Sequence, residues 1–251
     1  MPSLDVLSRY LNGYLRLGAI PDDDRALNGL QVENSGTVDR LAVAVDACQA
    51  TIDGAVDLGA NLLLVHHGLF WSGPEPITGR HGRRVRALVR HDVALYAAHV
   101  PLDCHPEVGN NAVLARALGL SDLSPFGRYQ GIEIGCVGET SESLDALVTR
   151  LTDRLGVEPH VIARGPARPR RAAVVTGAGS SLLREARDAG IDTFITGEGP
   201  HHTFFDAEEW GLNLIYAGHY ATETVGVKAL GEHLERQFGL PWDFIDHPTG
   251  L

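Results

Sequence analysis

The sequence predicts an α/β fold built from two related halves. Three observations predict it. Short apolar runs of strand length recur along the chain, segments with helical patterning lie between them, and the first half resembles the second at a fixed spacing.

Residues 3–17 come first. Leu4, Leu7, Leu11, Tyr14 and Leu15 fall at helical spacing, which predicts an amphipathic helix. The apolar runs follow at Leu41–Val45, Leu62–Val65, Ala94–Ala98, Ala172–Thr176, Thr193–Thr196 and Leu214–Ala217. They are continuous rather than alternating, as strands buried on both faces of a mostly parallel sheet should be. Helical segments at Arg83–Arg90, Asn111–Leu118, Ser180–Asp188 and Thr222–Phe238 complete a β-α-β-α alternation.

The halves match in three places. LAVAVDA (41–47) resembles AAVVTGA (172–178), and LLLVHHG (62–68) resembles TFITGEG (193–199), both offset by 131. YAAHVPLD (96–103) resembles YAGHYATE (216–223) at an offset of 120, with Tyr, Ala, His and a final acid in register. Three matches in one order indicate an internal duplication. We place repeats at 1–125 and 126–251, intertwined, with a rough seam between Leu123 and Gln130.

Composition narrows the class. With 44% hydrophobic and 21% charged residues the chain suits a soluble globular protein, and no apolar run approaches the ~20 residues of a membrane span. MPSLDVLSRYLNGYL lacks a basic segment ahead of a solid apolar core, so it does not read as a signal peptide, and the expected location is the cytoplasm. A net charge of −11 argues against direct nucleic-acid binding and suits a protein that collects cations. Cys48, Cys104 and Cys136 form no CxxC pattern, which argues against disulfides and a thiolate zinc site. Histidine is abundant, at 12 copies.

The chemistry-bearing residues cluster where apolar strands end. NLLLV runs into His66–His67–Gly68, ALYAA into His99 and Asp103, and NLIYAG into His219 and Glu223. Ligands of parallel α/β sheets bind beyond the carboxyl ends of the strands. Successive strand residues point to opposite sides, so His66 and His67 are expected to share a site only if the chain turns there, which Gly68 would permit. His219 and Glu223 are four apart and would face one way if a helix begins at 220–223, with Glu223 favoured in its first turn. Imidazole plus carboxylate favours Zn, Mn, Fe, Co or Ni. His66, His67, Asp103, His219 and Glu223 are too many ligands for one open tetrahedral zinc but suit two divalent ions, with a carboxylate such as Glu223 bridging.

The motifs NGLQV (28–32), LLLVHHGLFW (62–71), ITGR (77–80), YAAHVPLD (96–103), GNNAVLARALGL (109–120), ITGEG (195–199) and GHYATETVGVKAL (218–230) resemble the Nif-three-like proteins. That family is also called the dinuclear metal centre hexameric family, or GTP cyclohydrolase 1 type 2 homologs. The resemblance implies two α/β repeats with mixed, mostly parallel sheets, packed with a dinuclear metal site in the cleft between them. It implies that His66 and Asp103 serve one ion, His67 and His219 the other, with Glu223 bridging. It also implies a toroidal homohexamer. At 251 residues the chain has no room for the domain that some relatives insert between repeats. GEGPHH (197–202) departs from the tail of many relatives after GE, which leaves His201 and His202 without an inherited role.

The resulting expectation is a metal-dependent hydrolase similar to GTP cyclohydrolase 1 type 2, acting on a nucleotide or related substrate with a metal-bound hydroxide as nucleophile. His99 and Glu198, the repeat partners of His219 and His67, are the candidates for moving protons. Arg80 and Arg83 are candidates for a phosphate or carboxylate, and Asn28 and Gln31 for lining the cleft or capping a turn. The alternative is a non-enzymatic metal-binding or regulatory protein-interaction assembly. No Walker-type phosphate loop is present in the sequence.

Overall fold

A computed structural model describes residues 1–71, 73 and 75–251. Its strands in chain order are β1 (Gly29–Val32), β2 (Leu41–Asp46), β3 (Leu62–His67), β4 (Ala94–Ala97), β5 (Ser121–Tyr129), β6 (Ile132–Glu139), β7 (His160–Ala163), β8 (Arg171–Val175), β9 (Thr193–Thr196), β10 (Asn213–Tyr216) and β11 (Trp242–Phe244). The α-helices are α1 (Leu4–Tyr14), α2 (Gln49–Asp57), α3 (Gly79–Arg90), α4 (Val100–Asp103), α5 (Asn110–Ala117), α6 (Leu144–Leu155), α7 (Leu183–Asp188), α8 (Thr203–Trp210) and α9 (His219–Phe238). The α/β class is as the sequence predicts. Among the described residues no helix is long and apolar enough to cross a membrane.

The chain forms two compact units, Met1–Leu102 with Val227–His247, and Asp103–Gly226 with Pro248–Leu251. A single cut near residue 125 does not separate them. β11, close to the C-terminus, pairs in parallel with β2 and so belongs to the first sheet. Residue 125 itself lies inside β5.

The first unit holds a five-stranded sheet in the order β1-β4-β3-β2-β11. β4, β3, β2 and β11 run parallel, and β1 is antiparallel on the edge. Every residue of Leu62–Val65 is buried, which accounts for the continuous apolar run. Leu63, Val65 and Leu95 pack with Ile52 and Leu88 in one core cluster. Burying each such side chain contributes about 1.5–3 kcal/mol before the cost of ordering it. α1 starts where Ser3 accepts a hydrogen bond from Val6 N–H, and it buries Leu4, Leu7 and Leu11. It stops three residues short of the predicted end, because Arg16 adopts φ 55°, outside the right-handed helical region. Leu15 is nonetheless buried.

The second unit holds a six-stranded sheet in the order β5-β6-β8-β9-β10-β7. β8, β9 and β10 are parallel, while β5, β6 and β7 are antiparallel to their neighbours. Its two faces take alternate residues. Val174, Ile195 and Ile215 pack with Leu147 and Leu151, whereas Ala173, Phe194 and Leu214 pack with Leu183 and Ala207. β5 and β6 form a hairpin whose two-residue turn, Gln130–Gly131, has positive φ at both positions (46° and 90°). This hairpin lies on the predicted seam. Its apolar content is too sparse to read as a strand pair, and Pro125 is tolerated because β5 is an edge strand.

Candidate metal centre

The first unit gathers three histidines at the carboxyl ends of its central strands. Ring centroids lie 4.7 Å apart for His66 and His67, 4.9 Å for His66 and His99, and 5.5 Å for His67 and His99. One ring nitrogen from each falls within 4.8 Å of the other two. The expected turn between His66 and His67 is not there: both belong to β3. They approach because each ring is tied to a different neighbouring strand. His66 Nδ1 lies 2.9 Å from the carbonyl of Ala98, which follows β4, and His67 Nδ1 lies 3.0 Å from Asp46 Oδ1 at the end of β2. Asp46 and His67 are register partners in that sheet.

Gly68 has a different use from the one expected. A Cβ there would lie 2.2 Å from Gln31 Nε2. Gln31 fills that space, donating to the carbonyls of Ala26 and Leu27 and accepting from Leu69 N–H. It pins the segment that follows the two histidines.

His99 is held from two sides. Its Nδ1 lies 2.8 Å from Asp22 Oδ1, and its backbone N–H donates to Asn28 Oδ1 at 2.7 Å. Asn28 Nδ2 in turn donates to Asp22 Oδ2, which also accepts from Val100 N–H. Burial pushes the Asp22 carboxyl up, but the bond and charge of His99 and the bond from Asn28 outweigh it, so the group sits below its ordinary value. Trp71 stands edge-on to His99 at 4.7 Å and to His67 at 5.4 Å.

The second unit presents carboxylates with one histidine. His219 opens α9, so Glu223 begins the second turn of that helix and not its first. The two side chains still meet, as residues four apart on a helix do, with His219 Nε2 3.1 Å from Glu223 Oε1. His219 Nδ1 lies 3.0 Å from Glu198 Oε1, just beyond β9. Glu223, and after it Glu198, push the His219 imidazole up to about 9 against the opposing effect of burial. Glu223 is only 3% exposed. Gly177 makes room for it: a Cβ at that residue would lie 2.3 Å from Glu223 Oε1.

Asp103 Oδ1 accepts from Asn110 Nδ2 at 2.8 Å and from the Thr176 hydroxyl at 3.3 Å. Asn110 Oδ1 accepts from Gly226 N–H within α9. Its neighbour Asn111 donates to the carbonyls of Ile134 and Asp103 and accepts from Thr176 N–H. Both asparagines are buried.

Four histidines thus share one arrangement. His66, His67, His99 and His219 each set Nδ1 against an oxygen acceptor. An oxygen acceptor at Nδ1 fixes the orientation of each ring, as the outer partners of metal-binding imidazoles do. Beside His219 the buried carboxylate of Glu223 adds an oxygen donor, and imidazole with carboxylate is a donor chemistry that suits borderline divalent cations.

Other predicted residues lie elsewhere. Arg80 and Arg83 occupy exposed positions of α3. His202 precedes α8, and His201 packs edge-on to Phe205. Sequence reasoning did not single out Asp22, Asp46, Asn110, Asn111 or Gly177. For Asp46 a signal existed, because it and Gly177 occupy the same place in the two repeats, at the ends of β2 and just past β8.

A family model described as Duf34/NIF3 (NGG1p interacting factor 3) matches residues 3–249. A Deinococcus radiodurans protein named GTP cyclohydrolase 1 type 2 homolog is 47% identical over 249 residues, covering 98% of this chain and 94% of the relative. A Halobacterium salinarum protein of the same name is 48% identical over 253 residues, covering 98% of each. The crystal structure of TTHA1606 from Thermus thermophilus superposes with a TM-score of 0.92 at 47% identity, covering 99% of this chain and all of that one.

Proposed function

The chain belongs to the Duf34/NIF3 family, and from that membership and its donor residues we propose that it is a divalent-metal-binding hydrolase. The ligands in this reading are His66, His67, Asp103, His219 and Glu223, serving two ions. The observation that carries it is the shared tie of each histidine Nδ1 to an oxygen acceptor. Isolated surface histidines have no reason to be oriented in this way. The buried Glu223 carboxylate, with Gly177 leaving space beside it, adds support.

Bound ions would supply acidified water and neutralise negative charge on the substrate. The rest falls to the chain. Asp46 and Glu198 hold His67 and His219 in place, and Asn110 and Thr176 aim Asp103. His99, poised by Asp22 beside His66 and His67, is the residue that accepts and returns a proton. The name of the relatives directs the choice of substrate to a nucleotide, with ring opening of GTP as the first reaction to assay.

Protein stripped with a chelator and reloaded separately with Zn, Mn, Fe, Co or Ni is expected to turn over a nucleotide with at least one metal. Glu223→Ala is expected to abolish that turnover. If no metal form turns over a nucleotide or phosphoester, while Asp103→Ala loses only its metal, the enzymatic reading fails and a non-enzymatic metal-binding assembly takes its place. From the family resemblance alone we also propose a homohexamer, which light scattering would detect as a particle of about six times 27.0 kDa.

A further inference from the structure

On the second unit a cavity of about 470 Å³ opens at the ends of β9 and β10. None of the five proposed metal ligands lines it. Its walls include His160, His201, Thr203, Phe204, Phe205 and Tyr216. The antiparallel pairing of β7 and β10 sets His160 directly across from Tyr216. Cross-strand partners share one face of a sheet, and these two rings lie parallel, 4° between planes, with centroids 6.4 Å apart. Phe204 and Phe205 present perpendicular rings 5.4 Å apart, and His201 stands edge-on to Phe205 at 5.5 Å. The strap after β9 keeps the cavity narrow there, since a Cβ on Gly199 would lie 2.4 Å from the Tyr216 hydroxyl.

The polar atoms divide into two groups. The Tyr216 hydroxyl bonds to the Thr203 hydroxyl, which itself donates to the carbonyl of Pro200 at 2.6 Å. Those groups are engaged with the protein. The imidazoles of His160 and His201, both exposed, supply the hydrogen-bonding rim. The lining contains no Lys or Arg, and the Arg164 guanidinium lies over the Phe204 ring, 5.3 Å from its centroid.

We propose that this cavity binds a small molecule through a flat aromatic ring with a polar edge, such as a nucleobase, stacked on the aromatic wall and hydrogen-bonded by His160 and His201. The volume falls within the roughly 300–1,000 Å³ of small-molecule sites. Parallel and edge-on protein rings reward a flat π-system over an aliphatic group of equal size. The proposal does not depend on metal binding.

The test uses the full chain stripped of metal. 2-Naphthol is the probe and decahydro-2-naphthol its saturated counterpart, each titrated by calorimetry with saturation-transfer NMR. The expected result is saturable binding of 2-naphthol at least tenfold tighter than its counterpart. His201→Ala and Phe205→Ala, both at exposed positions, are expected to weaken it at least fivefold while circular dichroism and Tm stay unchanged. Phe205→Leu replaces Phe205→Ala if that variant fails to fold. No saturable binding, equal affinity for the saturated compound, or unchanged affinity in either variant overturns the proposal. Because the protein is metal-free, failure of the metal reading leaves these outcomes unaffected.

Discussion

His219 holds its Nδ1 3.0 Å from Glu198 Oε1, across 21 residues of sequence. The carboxylate is placed to keep the imidazole from rotating and to raise the basicity of Nε2. Glu198→Gln retains an acceptor but removes the charge. Its metal affinity is expected to fall about 10- to 100-fold with secondary structure unchanged. Competition with a chelator measures this, and an affinity equal to wild type would remove Glu198 from any supporting role.

His219 also makes stability depend on pH in the metal-free protein. Its folded-state value is raised from 6.5 to about 9, chiefly by Glu223. The stabilisation is therefore complete below about pH 6.5 and is lost as pH rises through about 9. It is worth on the order of 2 kcal/mol. Urea unfolding of chelated protein at pH 6 and pH 9.5 should show this loss, and His219→Gln should shrink it.

Gly177 is expected to be intolerant of a methyl group. It has φ +65°, and an added Cβ would stand 2.3 Å from Glu223 Oε1. Gly177→Ala should displace Glu223 and abolish tight metal binding. Gly156→Ala is the control, because Gly156 has φ +72° with open space around it. It should cost only about 1 kcal/mol of backbone strain and leave metal affinity intact.

Asn111 joins the second sheet to the segment that carries Asp103. Its side chain makes bonds to Ile134, Asp103 and Thr176 while only 3% exposed. Asn111→Ala strands those groups in a buried site and should cost about 2–4 kcal/mol in chemical denaturation. A loss below 0.5 kcal/mol, on the order of an ordinary surface substitution, would show that water replaces the side chain without penalty.

Cys136 should resist thiol reagents in the native protein. Burial pushes its thiol up to about 12. The folded state keeps this proton while the unfolded chain releases it near 9, so stability should fall as pH rises above 9. Alkylation at pH 8 is expected to spare Cys136 until denaturant is added, which peptide mass spectrometry would detect.

The central strands and the residues at their ends were legible because burial on both faces writes itself as an unbroken apolar run. A histidine closing such a run stands out, as His66, His67 and His219 do. What was not legible depends on which strands become neighbours. Asp46 reaches His67 because β2 lies beside β3, and Asp22 reaches His99 across 77 residues through a loop with no periodicity. β11 has only three residues, and β5 carries a proline. Strict alternation along a strand predicts a turn between the two histidines of β3, yet both stay in the strand. At a strand end, hydrogen bonds to opposite neighbours bring consecutive rings together.

The discontinuity of the first unit bears on how the chain is made. β11 pairs with β2, so the outermost strand of the first sheet comes from residues 242–244, which are synthesised after the whole of the second sheet. The six strands of the second sheet all lie between residues 121 and 216. Vectorial synthesis normally lets the amino-terminal part fold first. Here the middle of the chain can complete its sheet while the beginning still waits, with an unpaired edge at β2, for residues 242–244. Ribosome-stalled chains whose residues up to 226 have cleared the exit tunnel, while 242–244 have not, should already protect the second sheet from protease and leave residues 41–46 open to attack.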